Sequence, residues 1–232
     1  MVSIYSHSRL SLLLFAISLP LIGITQTSPI HHQEESTTET AQFLARFAEA
    51  RKQAGDTQVP FHEKRFLPFM DNALETTGTL AFHPPNCFRR KVDRGSLTVC
   101  DGKTLWIYHS TLQQVEIYDL NRTPFLSDTL TAMTATLAAV QLPALFQCTV
   151  RRNTNGTATL FLIPRRGALR KVISKITLVL HPDFTPSQLE INSREGDRTL
   201  TTFGEESRMR FNANTFEFRP PPGTSISRPL AK

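Results

Sequence analysis

The sequence predicts an α+β fold that is mainly β: one antiparallel sheet with two or three helices, closed only partly or capped. Three observations carry that expectation. Apolar and polar residues alternate over short runs from Val59 onward. Turn dipeptides, Asp101-Gly102 and Asn155-Gly156 foremost, separate those runs. Helical spacing is confined to two stretches, one after Thr40 and one after Pro124. At 232 residues the chain is long enough for one β-rich domain of generous size.

The chain opens with Arg9 and no acid, then runs almost wholly apolar from Leu10 to Ile24, then turns small or polar at Thr25 to Ser28. That order, a basic start, a short greasy core and a cleavable end, is the order of a secretory signal. The apolar run is short for a membrane span, where ~20 residues are expected; a retained N-terminal anchor is the alternative. No Cys follows until Cys87, so there is no lipobox to acylate. The expectation is a signal peptide over 1–27 and a mature protein that is exported across the inner membrane and soluble in the periplasm. Loss of residues 1–27 removes Arg9 alone, so the net charge falls from +6 to +5. A modest positive charge favours anionic partners such as lipid headgroups or acidic protein patches, and export argues against nucleic acid. Residues 28–38 form a polar leader whose His31-His32 pair is better read as solvated than as a metal site. A single domain is expected over 39–232.

The elements follow in order. From Thr40, Phe43, Leu44, Phe47 and Ala48 share one helical face opposite Arg46, Glu49 and Lys52, and Gly55-Asp56 ends the helix. From Val59 the period is two, with Phe61, Glu63, Arg65, Leu67 and Phe69 on one side. Met70 to Glu75 reads as a loop and Thr77 to His83 as a strand with Leu80 and Phe82 on one face. Pro84-Pro85 marks a bend. Cys87 to Val92 and Ser96 to Cys100 form a pair around Arg94-Gly95. A two-residue loop at Asp101-Gly102 pairs Val99 with Thr104 and Leu97 with Trp106. Trp106 and Tyr108 then share a face with Leu97 and Val99, and that face is expected to continue back to Phe88 and Val92 and forward to Val115 and Ile117. Arg89, Lys91, Thr98, Leu105 and Ile107 are expected on the reverse. Pro124 begins the second helix, with Leu126, Leu130, Met133, Leu137 and Val140 along one stripe. Strands resume at Cys148 to Arg151, Ala158 to Ile163, Lys171 to His181, Ser187 to Asn192 and Thr199 to Phe203, with Phe216 and Phe218 in the last.

No catalytic set assembles from these residues. His62, His83, His109 and His181 fall on different strands and turns, without His-Glu-x-x-His or Cys-x-x-Cys spacing. Ser174 and Ser193 lie in no nucleophile-elbow context. The chain is expected not to be an enzyme and to need no cofactor or metal. If Phe88 faces Val99, Cys87 lies directly across from Cys100, where neighbouring Cα atoms at about 4.5–5.5 Å fall within disulfide range. Two small buried hydrophobes are the alternative there, and Cys148 is expected buried and free. Basic clusters at Arg89-Arg90-Lys91, Arg151-Arg152, Arg165-Arg166 and Arg170-Lys171 read as solvated faces or as the rim of an opening that meets acidic surfaces or phosphate headgroups. The apolar face under the second helix reads from pattern alone as core, with a ligand cavity as the alternative.

Several of these stretches, in order, resemble the LolA family of periplasmic lipoprotein carriers: Phe61-x-Glu63-Lys64, Gly78-x-Leu80, Pro85-Asn86 with Phe88, Val99-x-Asp101-Gly102-Lys103-Thr104-Leu105-Trp106-Ile107-Tyr108, Gln113-Gln114-Val115, Phe161-Leu162-Ile163-Pro164 and Phe216-x-Phe218-x-Pro220-Pro221-x-Gly223. The resemblance implies an unclosed antiparallel β-barrel with helices as a lid over an apolar cavity. It implies a carrier that takes acyl chains of a lipoprotein from an inner-membrane transporter to an outer-membrane receptor, acting as a monomer. On that basis Leu80, Phe82, Phe88, Val99, Trp106, Tyr108 and Val115 are expected to line the sheet side and Leu126, Leu130 and Met133 to close it. The chain departs from the family pattern at Pro84, where Arg is frequent, and at Arg90, where Trp is frequent. Phe61-x-Glu63-x-Arg65-Phe66-Leu67 and Arg165 also resemble a LolA-like branch associated with other envelope-lipid exporters. The remaining alternative is a periplasmic domain whose sheet is only a core and whose basic rim binds a protein partner.

Overall fold

The computed structural model describes residues 37–123, 130, 134, 137, 139, 141–165, 167 and 169–229. The expected signal segment and most of the polar leader lie outside the described residues, as do Leu126 and Met133. Helix α1 spans Thr37–Ala54 and buries Phe43, Leu44 and Phe47, while Arg46, Glu49 and Lys52 are exposed as their spacing predicts. Glu39 in its first turn and Arg51 and Lys52 in its last complement the helix dipole. Gly55, at φ +63°, ends it in the left-handed conformation that glycine adopts without penalty.

Strands β1 Thr57–Phe66, β2 Leu74–His83, β3 Cys87–Val92, β4 Ser96–Cys100, β5 Thr104–His109 and β6 Gln114–Asp119 follow. The chain then passes helical residues Leu130, Thr134 and Leu137 and a short helix α2, Leu142–Leu145. It resumes with β7 Phe146–Arg152, β8 Ala158–Pro164, a short helix α3 Leu169–Val172, β9 Ile173–Leu180, β10 Pro186–Ser193 and β11 Arg198–Phe203. Lys171 and Val172, read from sequence as strand, are therefore helical. Two short strands, β12 Ser207–Arg208 and β13 Ser225–Ser227, complete the set. Among the described residues these form one sheet, in the order β13-β6-β5-β4-β3-β2-β1-β11-β10-β9-β8-β7, with β12 added to β1. The path has two free ends, so the curved sheet is unclosed. All pairings are antiparallel except β13 on β6.

Cross-strand partners share a face, so the register sorts every side chain. From β1 outward one face carries Val59, Phe61 and Glu63, then Phe82, Leu80 and Gly78, then Phe88, Arg90 and Val92, then Cys100 and Thr98, then Leu105 and Ile107. In the other direction it carries Phe203, Thr201, Leu189, Ile191, Leu178, Ile176, Leu160, Leu162 and Val150. This is the inner face. The side chains of α1 pack on its β7–β11 half in one continuous core, with Phe184 meeting Phe43 edge-on at 5.2 Å.

Two hairpins depart from expectation. The Asp101-Gly102 turn is real, with Gly102 at φ +88°, but the loop is longer than two residues. Asp101 caps it, its carboxylate accepting from the Lys103 and Thr104 amides at 2.8 and 2.6 Å. Val99 therefore faces Trp106 and Leu97 faces Tyr108. That shift of two positions preserves the side each residue takes. The β3–β4 hairpin differs by one: Phe88 faces Cys100, and Arg89 faces Val99. A slip of one residue exchanges the two faces. Leu97, Val99, Trp106, Tyr108, Val115 and Ile117 consequently lie on the outer face with Arg89 and Lys91, and Thr98, Leu105 and Ile107 on the inner.

The outer apolar patch is covered by the C-terminal segment. Phe216 and Phe218 are not in a strand. Residues Ala213–Phe216 form a 3-10 turn against β3, held where the Arg89 guanidinium donates to the Thr215 carbonyl at 3.4 Å. The Phe218 ring stands 5.4 Å from that of Tyr108, and β13 docks beside β6. Val99 and Val115 are fully buried beneath this cover.

Candidate functional site

The inner face is not filled throughout. Between the helical residues Leu130, Thr134 and Leu137 and the strands β1–β3, β10 and β11 lies a cavity of about 220 Å³. Its wall is mostly apolar: Phe61, Leu80, Phe88, Leu130, Leu137, Leu189, Ile191 and Phe203, with Thr134, Thr199 and Thr201 among them. Leu130 also reaches the smaller core formed by Cys100, Leu105 and Leu120. The Thr134 hydroxyl donates to the Leu130 carbonyl at 2.9 Å, which satisfies its polar group within the helix.

Of the ten side chains expected to hold a lipid, Leu80, Phe88 and Leu130 are brought together on this cavity. Phe82 is on the same face and buried. Val99, Trp106, Tyr108 and Val115 are on the opposite face for the register reason given above, so the expectation that they share a surface with Phe88 is corrected. The cavity also uses residues not singled out as lining: Phe61, Glu63, Arg90, Leu137, Leu189, Ile191 and Phe203. The alternation of Phe61 with Glu63 and of Leu189 with Ile191 was a visible signal for them; the pairing of Glu63 with Arg90 was not.

That pair is made possible by Gly78. A side chain there would run into the Lys91 carbonyl oxygen and come within 2.9 Å of the Phe61 ring. With no side chain present, the Phe61 ring occupies the space and Arg90 stacks over it, 4.5 Å from the centroid. From there the Arg90 guanidinium donates to Glu63 Oε1 at 2.9 Å, and the Thr201 hydroxyl donates to Glu63 Oε2 at 3.3 Å. Both charged groups are about one quarter exposed, 27% and 24%. They form the charged end of a mostly apolar space.

A second charged group secures the helix over the cavity. Arg51 of α1, only 4% exposed, donates from Nε to the Leu137 carbonyl at 2.8 Å. Its two terminal nitrogens donate to both oxygens of the buried Glu206 at 2.7 and 2.8 Å. One guanidinium thus joins α1, the helix carrying Leu137 and the segment after β11 in the two-pronged geometry that suits arginine.

The three cysteines are free. Cys87 faces His83 on the neighbouring strand, and Phe88, not Cys87, is across from Cys100, so the register that would set Cys87 directly opposite Cys100 is not the one adopted. Burial pushes the thiols of Cys100 and Cys148 up to about 11, and that of Cys87 upward as well. Among the described residues no group of three or more His, Cys, Asp or Glu is placed to hold a metal ion.

A family model described as "Outer membrane lipoprotein carrier protein LolA" matches residues 57–219. The chain belongs to the LolA family. It is 30% identical over 135 residues to an outer-membrane lipoprotein carrier protein of Edwardsiella ictaluri, a match that spans 56% of this chain and 59% of that relative's length. It is 26% identical over 233 residues to the protein of the same description from Azotobacter vinelandii, covering 93% of this chain and 96% of the relative. In fold it is similar to an uncharacterized conserved protein of Thermus thermophilus, with a TM-score of 0.50 at 15% identity over 81% of this chain and 98% of that one. Membership of a carrier family suits a site built around an apolar cavity. No helix among the described residues is long and apolar enough to cross a membrane.

Proposed function

We propose that this LolA-family protein is a periplasmic carrier that binds acyl chains of a lipoprotein in its inner cavity and moves it from the inner to the outer membrane. The first 27 residues act as the export signal, and the carrier domain works as a soluble monomer over residues 39–232. An inner-membrane transporter loads it and an outer-membrane receptor unloads it. One observation carries the reading: the inner face keeps an apolar space against Leu80, Phe88, Leu130 and Leu137 where a solid core would have closed it. Burial of ~16 methylenes at ~0.8 kcal/mol each is worth about 13 kcal/mol before ordering costs, ample for capture.

The cavity volume of about 220 Å³ falls below the ~300–1,000 Å³ of sites for small molecules. It matches a closed carrier whose covering helix must shift to admit more than the end of one chain. Protein purified gently from membranes is expected to carry co-eluting acyl lipid or lipoprotein in native mass spectrometry. Reproducibly empty protein from several preparations would overturn the carrier reading.

A further inference from the structure

We infer that the Glu63–Arg90 pair divides an acyl-chain cavity from a headgroup site on its outer side, and that this site selects an amphiphile with a phosphate-bearing head. The inference rests on the acyl-binding part of the reading above and concerns a second class of ligand for the same cavity, since the acylated cysteine of a lipoprotein carries no phosphate. Glu63 and Arg90 line the apolar cavity and also a second, open cavity of about 380 Å³. The walls of the two are chemically unlike. Beyond the pair, the second cavity presents Arg94, His109, Ser96, Ser110, Thr111 and Thr76. A ligand spanning the pair would thus have its chain among leucines and phenylalanines and its head among cations and hydroxyls.

The charge balance of the outer cavity favours an anion. Its single carboxylate, Glu63, is already engaged by Arg90 at 2.9 Å and by the Thr201 hydroxyl. Arg94 also lines an adjoining cavity with Asp93 and Glu75, but Asp93 accepts from the Thr77 hydroxyl at 2.7 Å and Glu75 is held by His62 and Lys64 at 2.8 and 2.9 Å. Arg94 lies on the turn between β3 and β4, exposed, with no carboxylate partner among the described residues. Arg90 uses one terminal nitrogen on Glu63, and the rest of its fork has no acceptor among the described residues.

Guanidinium groups recognise phosphate and carboxylate oxygens in paired geometry. A carboxylate has two oxygens, which one fork satisfies. Two guanidiniums ringed by hydroxyls match the larger oxygen set of a phosphate. A neutral glyceride head would leave both forks without an acceptor other than Glu63.

The test compares lysophosphatidate and monoacylglycerol of the same chain length by calorimetric titration into the mature protein. The protein is expected to bind lysophosphatidate about ten-fold or more tightly, the worth of one charge-assisted hydrogen bond. In Arg94→Gln and Arg90→Met that preference is expected to fall to about three-fold or less. The ratio compares two ligands on one preparation, so partial misfolding of a variant cancels. Equal affinity of the unsubstituted protein for both ligands overturns the headgroup site and leaves the acyl cavity standing. A preference that survives both substitutions overturns the assignment to these residues. Binding of neither ligand overturns the inference together with the reading it rests on.

Discussion

Replacing Arg51 by Met removes three hydrogen bonds from one buried point. Glu206, 8% exposed, keeps its charge and loses both of its 2.7–2.8 Å donors, and the Leu137 carbonyl loses its 2.8 Å donor. Breaking a buried pair from one side costs about 3–5 kcal/mol, because the remaining charge has neither water nor partner. A lone carbonyl adds about 1 kcal/mol. With a urea slope of ~2 kcal/mol per molar, a loss of about 5 kcal/mol lowers the unfolding midpoint by about 2.5 M. The double variant Arg51→Met/Glu206→Met removes both charges and fills the space with apolar side chains, so it is expected to recover most of the loss. Equilibrium urea unfolding followed by circular dichroism reads all three proteins. If Arg51→Met costs less than about 1 kcal/mol, or the double variant costs as much as the single, the buried pair is not what holds these segments together.

Two further outcomes follow from the structure. Phe216, buried under the outer face and packed on Phe211 at 5.2 Å, is expected to cost about 3 kcal/mol on truncation to Ala while leaving acyl-probe binding intact, as read by urea unfolding and probe titration. At pH 8 iodoacetamide should label Cys87 before Cys100 and Cys148, measured by peptide mass spectrometry, since the latter two hold their protons up to about 11. The same raised values favour the protonated thiol in the folded state. Their contribution to stability is therefore complete below the ordinary thiol value of about 8.5 and is lost as pH rises toward about 11.

The helix of Phe43, Leu44 and Phe47 was legible because one stripe is apolar, the opposite one charged, and a glycine stops it. The Asp101-Gly102 turn was legible too, and its extra loop residues did no harm because a shift of two keeps each side chain on its side. The β3–β4 hairpin was not. Arg89, Arg90 and Lys91 are charged on both faces, so alternation supplies no register there, and one position decides which way Phe88 points. On β4, Val99 and Cys100 are adjacent and both buried, one under the C-terminal segment and one in the interior. A strand covered on both faces has no polar side to mark the outside. That Trp106 and Tyr108 lie on a partly covered face was thus readable, but the element that covers that face was not, because Phe216 and Phe218 carry strand spacing while forming a turn and an extended cover. The Glu63–Arg90 contact depends on register, on the gap at Gly78 and on the Phe61 ring together, and none of these is a sequence motif.

Photo-crosslinking with a diazirine-bearing fatty acid, followed by peptide mapping, tests most directly whether a chain enters the inner cavity. Adducts are expected on the peptides carrying Leu80, Phe88, Leu130 and Leu189, which wall the same space, and to be competed by unlabelled fatty acid. Adducts concentrated on Trp106 and Tyr108, or labelling that no competitor reduces, would contradict binding between the helix and the inner face of the sheet.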